Sequence, residues 1–116
     1  MEEIDPSEHK IQAQCYQFFH NSYPEYRGLL FHVNNKAKNI IEGNKMKALG
    51  VVSGIPDLVF VFDGKPFGIE MKTEIGTLSP SQKDIHAKWT KNGAKIYICR
   101  SFVQFQEIIK EIISTK

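Results

Sequence analysis

Asp57, Glu70 and Lys72 are the residues of this chain whose types and spacing suit chemistry best. They stand within "DLVFVFDGKPFGIEMKT" (57–73), where two apolar runs flank Asp63-Gly64-Lys65-Pro66, residues that favour a hairpin turn. Side chains alternate along a strand, so Phe67, Ile69, Met71 and Thr73 share one face while Gly68, Glu70 and Lys72 share the other. A connection of two or four residues sets Asp57 opposite Glu70 or Lys72 and on their face; an odd connection breaks the alignment. Two neighbouring carboxylates repel, and in a half-buried sheet each needs a cation to stay ionised. A hard divalent ion such as Mg²⁺ or Mn²⁺ accepts oxygen ligands, keeps several waters and takes phosphate oxygens as further ligands. The backbone carbonyl of Met71, beside Glu70, offers one more oxygen. Such an ion polarises a phosphate and lowers the pKa of an attacking water. A lysine next to it orients that water or offsets charge in the transition state. The group therefore suits phosphodiester hydrolysis.

The bland alternative is an ion pair on a solvated face. Three features weigh against it. "GIPD" places Asp57 after a Gly-x-Pro turn, where a simple strand needs no acid. Both strands otherwise read as nearly continuous apolar runs, so the charges fall where burial is expected. "GTLSPSQ" (76–82) follows at once and returns a polar helix start towards the same patch.

The flanking sequence supplies the elements that must position these groups. Ser7 is a candidate N-cap for a helix with Ile11, Cys15, Phe18 and Phe19 at helical spacing, ending at Tyr23-Pro24. "GLLFHVNN" (28–35) reads as a strand. Residues 36–54 hold four lysines and three glycines, with a short helix expected around Lys45–Leu49. Two readings stand for this segment: a basic cover over a groove, with Lys36, Lys38, Lys45 and Lys47 meeting phosphates, or a solvated connector. Ser79-Pro80 opens a helix that closes at Asn92-Gly93. "AKIYICR" (94–100) is a strand, and Ser101 caps an amphipathic helix over 101–113. The order α-β-(loop)-β-β-α-β-α predicts an α/β fold, a small mixed sheet flanked by helices.

At 116 residues the chain suits one domain, 1–116, with a single core. A net charge of +2 does not by itself announce a nucleic-acid binder, so any polyanion must meet a local concentration of lysines. Cys15 and Cys99 lie in apolar patterns without a C-x-x-C, which points to reduced core thiols rather than zinc or a disulfide framework. No apolar run reaches the roughly 18 residues of a membrane span, and "MEEIDPSEHK" is too acidic for a signal peptide. A cytoplasmic protein, in a prokaryotic cell or a viral host, is expected, without a membrane partner.

Asp57 followed by Glu70-x-Lys72 after a hairpin resembles the PD-(D/E)XK nuclease superfamily and its restriction-endonuclease-like core. The finer pattern, G-x-P-D-L, I-E-x-K and G-x-L-S-x-x-Q, resembles the VRR-NUC (virus-type replication-repair nuclease) family, and "SEHKIQ" (7–12) resembles its opening helix. The resemblance spans most of the chain. It implies a Mg²⁺- or Mn²⁺-dependent endonuclease acting on DNA, with Asp57, Glu70 and the Met71 carbonyl on the metal and Lys72 serving the attacking water. Glu8 becomes an auxiliary acid, against the alternative of a first-turn acid that favours the helix dipole. Gln82 becomes a site residue holding water or phosphate; the alternative is a capping-box partner of Ser79, and the two roles look mutually exclusive. Stand-alone members imply branched DNA such as four-way junctions or flaps, a homodimer, and work in replication, repair or recombination. A non-catalytic DNA-binding module on the same fold is the alternative, and an interaction protein with purely structural ion pairs a third reading. The histidines, His9, His20, His32 and His86, show no ligand spacing. Asn34 and Asn35 suit a strand-end turn better than a site, and Trp89 with Ile85 suits core packing.

Overall fold

The computed structural model describes residues 6–34 and 36–116, so Asn35 lies outside the described residues. Its sheet has four strands in the order β1 (Leu30–His32), β2 (Leu58–Phe62), β3 (Lys65–Met71) and β4 (Lys95–Cys99). The first three are antiparallel neighbours, and β4 joins β3 in parallel. The helices are α1 (Pro6–Ser22), α2 (Ile40–Ala48), α3 (Pro80–Lys91) and α4 (Phe102–Ile113), with a 3₁₀ turn over Pro24–Tyr26. The mixed α/β class read from the sequence holds.

The β2–β3 hairpin turns on two residues. Asp63 and Gly64 have φ of 53° and 75°, the left-handed pair whose twist matches the flanking strands. Phe62 pairs with Lys65 and Leu58 with Ile69, so Lys65 and Pro66 belong to β3. The loop is even, and one further step of the register sets Asp57 across from Glu70.

One face of the sheet carries the main core. Phe60, Phe67, Ile69 and Met71 pack there with Cys15 and Phe19 of α1 and with Phe105, Ile109 and Ile112 of α4. Helix α4 buries Phe105, Ile108, Ile109 and Ile112, a stripe at helical spacing, and Ser101 caps it by accepting the Gln104 N–H. Truncating Phe105 to alanine there would cost about 3–5 kcal/mol. Cys15 and Cys99 are free and buried. The Cys99 sulfur beside it, together with burial, pushes the Cys15 thiol up, which keeps it protonated. The opposite face of the sheet, with Gly68 and Glu70, lies under α3.

Several elements differ from expectation. Ser7 lies inside α1, not before it. Strand β1 is three residues long, with Leu30 opposite Phe60, Phe31 opposite Val59 and His32 opposite Leu58. Helix α2 begins at Ile40, capped by Asn39, which accepts the Glu42 N–H at 2.8 Å. Ile85 and Trp89 are half-buried and stand outside the main core cluster, because α3 covers the other face. Among the described residues no helix is long and apolar enough to cross a membrane.

Candidate active site

The "GIPD" turn is shaped by two close approaches. Gly54 has φ +90°, and a Cβ there would lie 2.4 Å from the Ser81 carbonyl oxygen. Only glycine lets the turn press so closely on the first turn of α3. A Cβ on Gly68 would lie 2.7 Å from Pro56 Cγ, so the bare Gly68 backbone is the seat of that proline. Asp57 emerges between these two anchors.

Its backbone is fixed as well. The Asp57 carbonyl accepts the Val33 N–H at 2.9 Å and lies 2.9 Å from His32 Nδ1, which donates to it only in the tautomer that carries its proton on that nitrogen. The Gln12 amide of α1 stands 3.0 Å from the same ring nitrogen. On the α3 side, Asp57 Oδ2 accepts the Met71 N–H at 2.8 Å, which ties the acid to the residue after Glu70.

Glu70 is only 1% exposed. Its Oε2 accepts Gln82 Nε2–H at 3.3 Å, and its Oε1 lies 3.0 Å from His86 Nε2. Gln82 also closes the capping box: its Oε1 accepts the Ser79 N–H at 2.9 Å while its own N–H donates to Ser79 Oγ. The two roles that looked exclusive are both met, because the two ends of one amide serve them separately.

Burial, then the hydrogen bond and charge of Asp57, push the Glu70 carboxyl up to about 10, against the opposing charges of Lys72 and Lys36. Burial and then Lys72 hold His86 below its ordinary range, with Asp57 opposing. Without a metal, Glu70 is therefore protonated at neutral pH and faces a neutral imidazole. Lys72 stands just past the end of β3, where its N–H still donates to the Cys99 carbonyl at 2.9 Å. Arg100 Nη1 donates to the carbonyls of Thr73, Glu74 and Gly76 at 2.8, 3.3 and 2.6 Å, and so pins the turn that leads from Lys72 to α3.

Asp57, Glu70, Lys72 and Gln82 thus meet on one side of the sheet. Lys36 joins them through its field on Glu70. Lys36, Lys38 and Lys47 line a cavity of about 940 Å³ that Gln82 also lines, and Lys45 is exposed outside it. Glu8 is half-buried in the first turn of α1, one turn before Gln12 on the same stripe. Asn34 accepts the Lys36 N–H at 3.3 Å, a local turn contact. His86 and His32 were missed because a search for histidine pairs finds neither. The available signal for His86 was its place four residues after Gln82, on the same face of α3.

Among the described residues no three His, Cys, Asp or Glu side chains form a ready metal cluster. Two carboxyls within hydrogen-bonding reach, one of them buried and driven to hold its proton, nevertheless fit a hard cation, which would replace that proton and take its remaining ligands from water and backbone.

No family model matches the sequence, and no curated protein matches it. Among solved structures, the chain is similar to a "VRR_NUC domain protein" at 18% identity and TM-score 0.73, covering 94% of this chain and 89% of the other. A second, titled "VRR_NUC domain", is 21% identical with TM-score 0.57, covering 84% and 92%. The chain shares the fold of these proteins, and the resemblance read from its motifs holds at the level of the fold.

Proposed function

We propose that the chain is a metal-dependent DNA nuclease of the VRR-NUC type. The observation that carries this reading is the buried Glu70 carboxyl, held beside Asp57 and facing Lys72, at a place where a purely structural pair has no use for two crowded acids. In this reading Asp57, Glu70 and the Met71 carbonyl hold Mg²⁺ or Mn²⁺, with Glu8 as an auxiliary acid. The bound ion supplies an activated water and polarises the phosphate. Lys72 orients that water and meets the charge that develops on the phosphoryl oxygens. Gln82 and His86 keep the Glu70 carboxylate turned towards the ion, since each occupies one lone-pair site and leaves others for the metal. Lys36, Lys38 and Lys47, which line the cavity beside the acids, hold the strand. Branched DNA is the substrate this reading favours, and a homodimer would present paired sites for symmetric cuts.

The test is cleavage of labelled linear, flap and four-way-junction DNA with Mg²⁺ and with Mn²⁺, by wild type and by Asp57→Ala. Metal-dependent cutting that Asp57→Ala abolishes is the expected result. A variant that cuts like wild type overturns the assignment. DNA binding without any cutting by wild type would leave the non-catalytic module.

A further inference from the structure

Helix α2 buries none of its residues. An ordinary surface helix sinks an apolar stripe into the core, yet Ile40 and Ile41 of α2 are each 82% exposed. Both line the cavity of about 940 Å³ between α2 and the turn before Asp57, a space within the ~300–1,000 Å³ common for ligand sites. Lys36, Lys38 and Lys47 line it too, and among the described residues no carboxylate does. The occupant is therefore anionic and also brings apolar surface. Two links join this space to the acids: Gln82 forms part of its wall while bonded to Glu70, and the charge of Lys36 reaches Glu70.

We propose that this cavity receives an unpaired nucleotide of the DNA strand next to the scissile phosphate, its base against Ile40 and Ile41 and its phosphates towards the lysines. Duplex DNA stacks its bases inside and presents mainly phosphates, so it would use the lysines and leave the isoleucines bare. An unpaired nucleotide offers both surfaces at once. The inference rests on the nuclease reading and refines it: the site prefers DNA with a single-stranded portion at its mouth.

The experiment is fluorescence anisotropy of the full chain in Ca²⁺, chosen to support binding without cutting. The probes are a blunt duplex, the same duplex with a short single-stranded thymidine extension, and that extension made abasic. Wild type should bind the thymidine extension on the order of 5-fold more tightly than the abasic one. The double variant Ile40→Ser/Ile41→Ser should lose that preference and bind blunt duplex as before; at these exposures its melting curve should match wild type. A variant that keeps the preference, or that weakens on blunt duplex equally, overturns the proposal. So does a change of sedimenting mass with unchanged DNA preference, which would assign the isoleucines to a second copy of the chain. Preference without cleavage of any substrate in Mg²⁺ or Mn²⁺ would sink the nuclease reading alone, and cleavage without preference the cavity alone.

Discussion

Glu70→Gln should make the metal-free protein more stable, by an amount that grows with pH. The folded protein holds the Glu70 proton up to about 10, whereas the unfolded chain releases it near the ordinary 4.5. Between those values the unfolded state gains from deprotonation and the folded state does not. The stabilising contribution of the protonated form is thus complete below pH 4.5 and is lost progressively as pH rises towards 10. At pH 7 that window has been crossed by about 2.5 pH units at about 1.36 kcal/mol each, or about 3 kcal/mol. Glutamine imitates the protonated carboxyl at every pH: it keeps an acceptor for Gln82 and a donor for its other neighbours. Urea titrations in EDTA should show the variant ahead by under about 1 kcal/mol at pH 5 and by about 3 kcal/mol at pH 7. A difference that does not change with pH would refute the reasoning, since it would mean that Glu70 titrates alike in both states. Mn²⁺ supplies the opposite arm. At 100 times its Kd it should stabilise wild type by about 2.7 kcal/mol and leave the variant unmoved. Equal stabilisation of both would remove Glu70 from the ligand set.

The other groups of the site separate by readout. Lys72→Ala should cut the cleavage rate by about 10²-fold or more while calorimetry finds Mn²⁺ affinity retained; loss of both would make Lys72 structural. His86→Ala should weaken Mn²⁺ binding by about 10–100-fold, and His86→Gln, which can still donate to Glu70, should recover most of it; a merely space-filling His86 would show no such rescue. Replacing Lys36, Lys38 and Lys47 by alanine should flatten the slope of log affinity against log salt by about 0.9 per lysine, whereas Lys45→Ala should change it little; equal effects from all four would mean that the cavity is not the track. Gly68→Ala sets a methyl against a buried proline ring that cannot swing aside. A loss of about 1–3 kcal/mol in thermal unfolding is expected, and an unchanged melting temperature would show that the turn before Asp57 is loosely held.

The alternation of β3 and the even hairpin were legible because both follow from local rules: strand period, and a turn pair that tolerates positive φ. Helix α2 was misplaced for a related reason. Asn39 followed by Glu42 is a readable cap, but a helix that buries nothing carries no apolar periodicity, so its start was hidden behind lysines and glycines. Ile85 and Trp89 show the reverse error. Their spacing marks a covered face of α3, yet periodicity cannot say which side of the sheet provides the cover.

Gln82 shows why the site itself was only partly legible. Sequence spacing presented two roles for one side chain, capping Ser79 or serving the site, as competitors for a single group. In the fold they are one structure. The capping box fixes the amide oxygen on the Ser79 N–H, and this leaves the amide nitrogen aimed at Glu70 Oε2. The same helix turn carries His86 to the other carboxyl oxygen. Gly54, by letting the turn before Asp57 lie against Ser81, brings the second acid to the same helix start. The first turn of α3 therefore gauges the distance between the two carboxyls. That distance is set by contacts between segments 12 to 27 residues apart, which no reading of neighbouring residues can supply. Asp57, Glu70 and Lys72 are found by type, and the groups that aim them are found only from the packing.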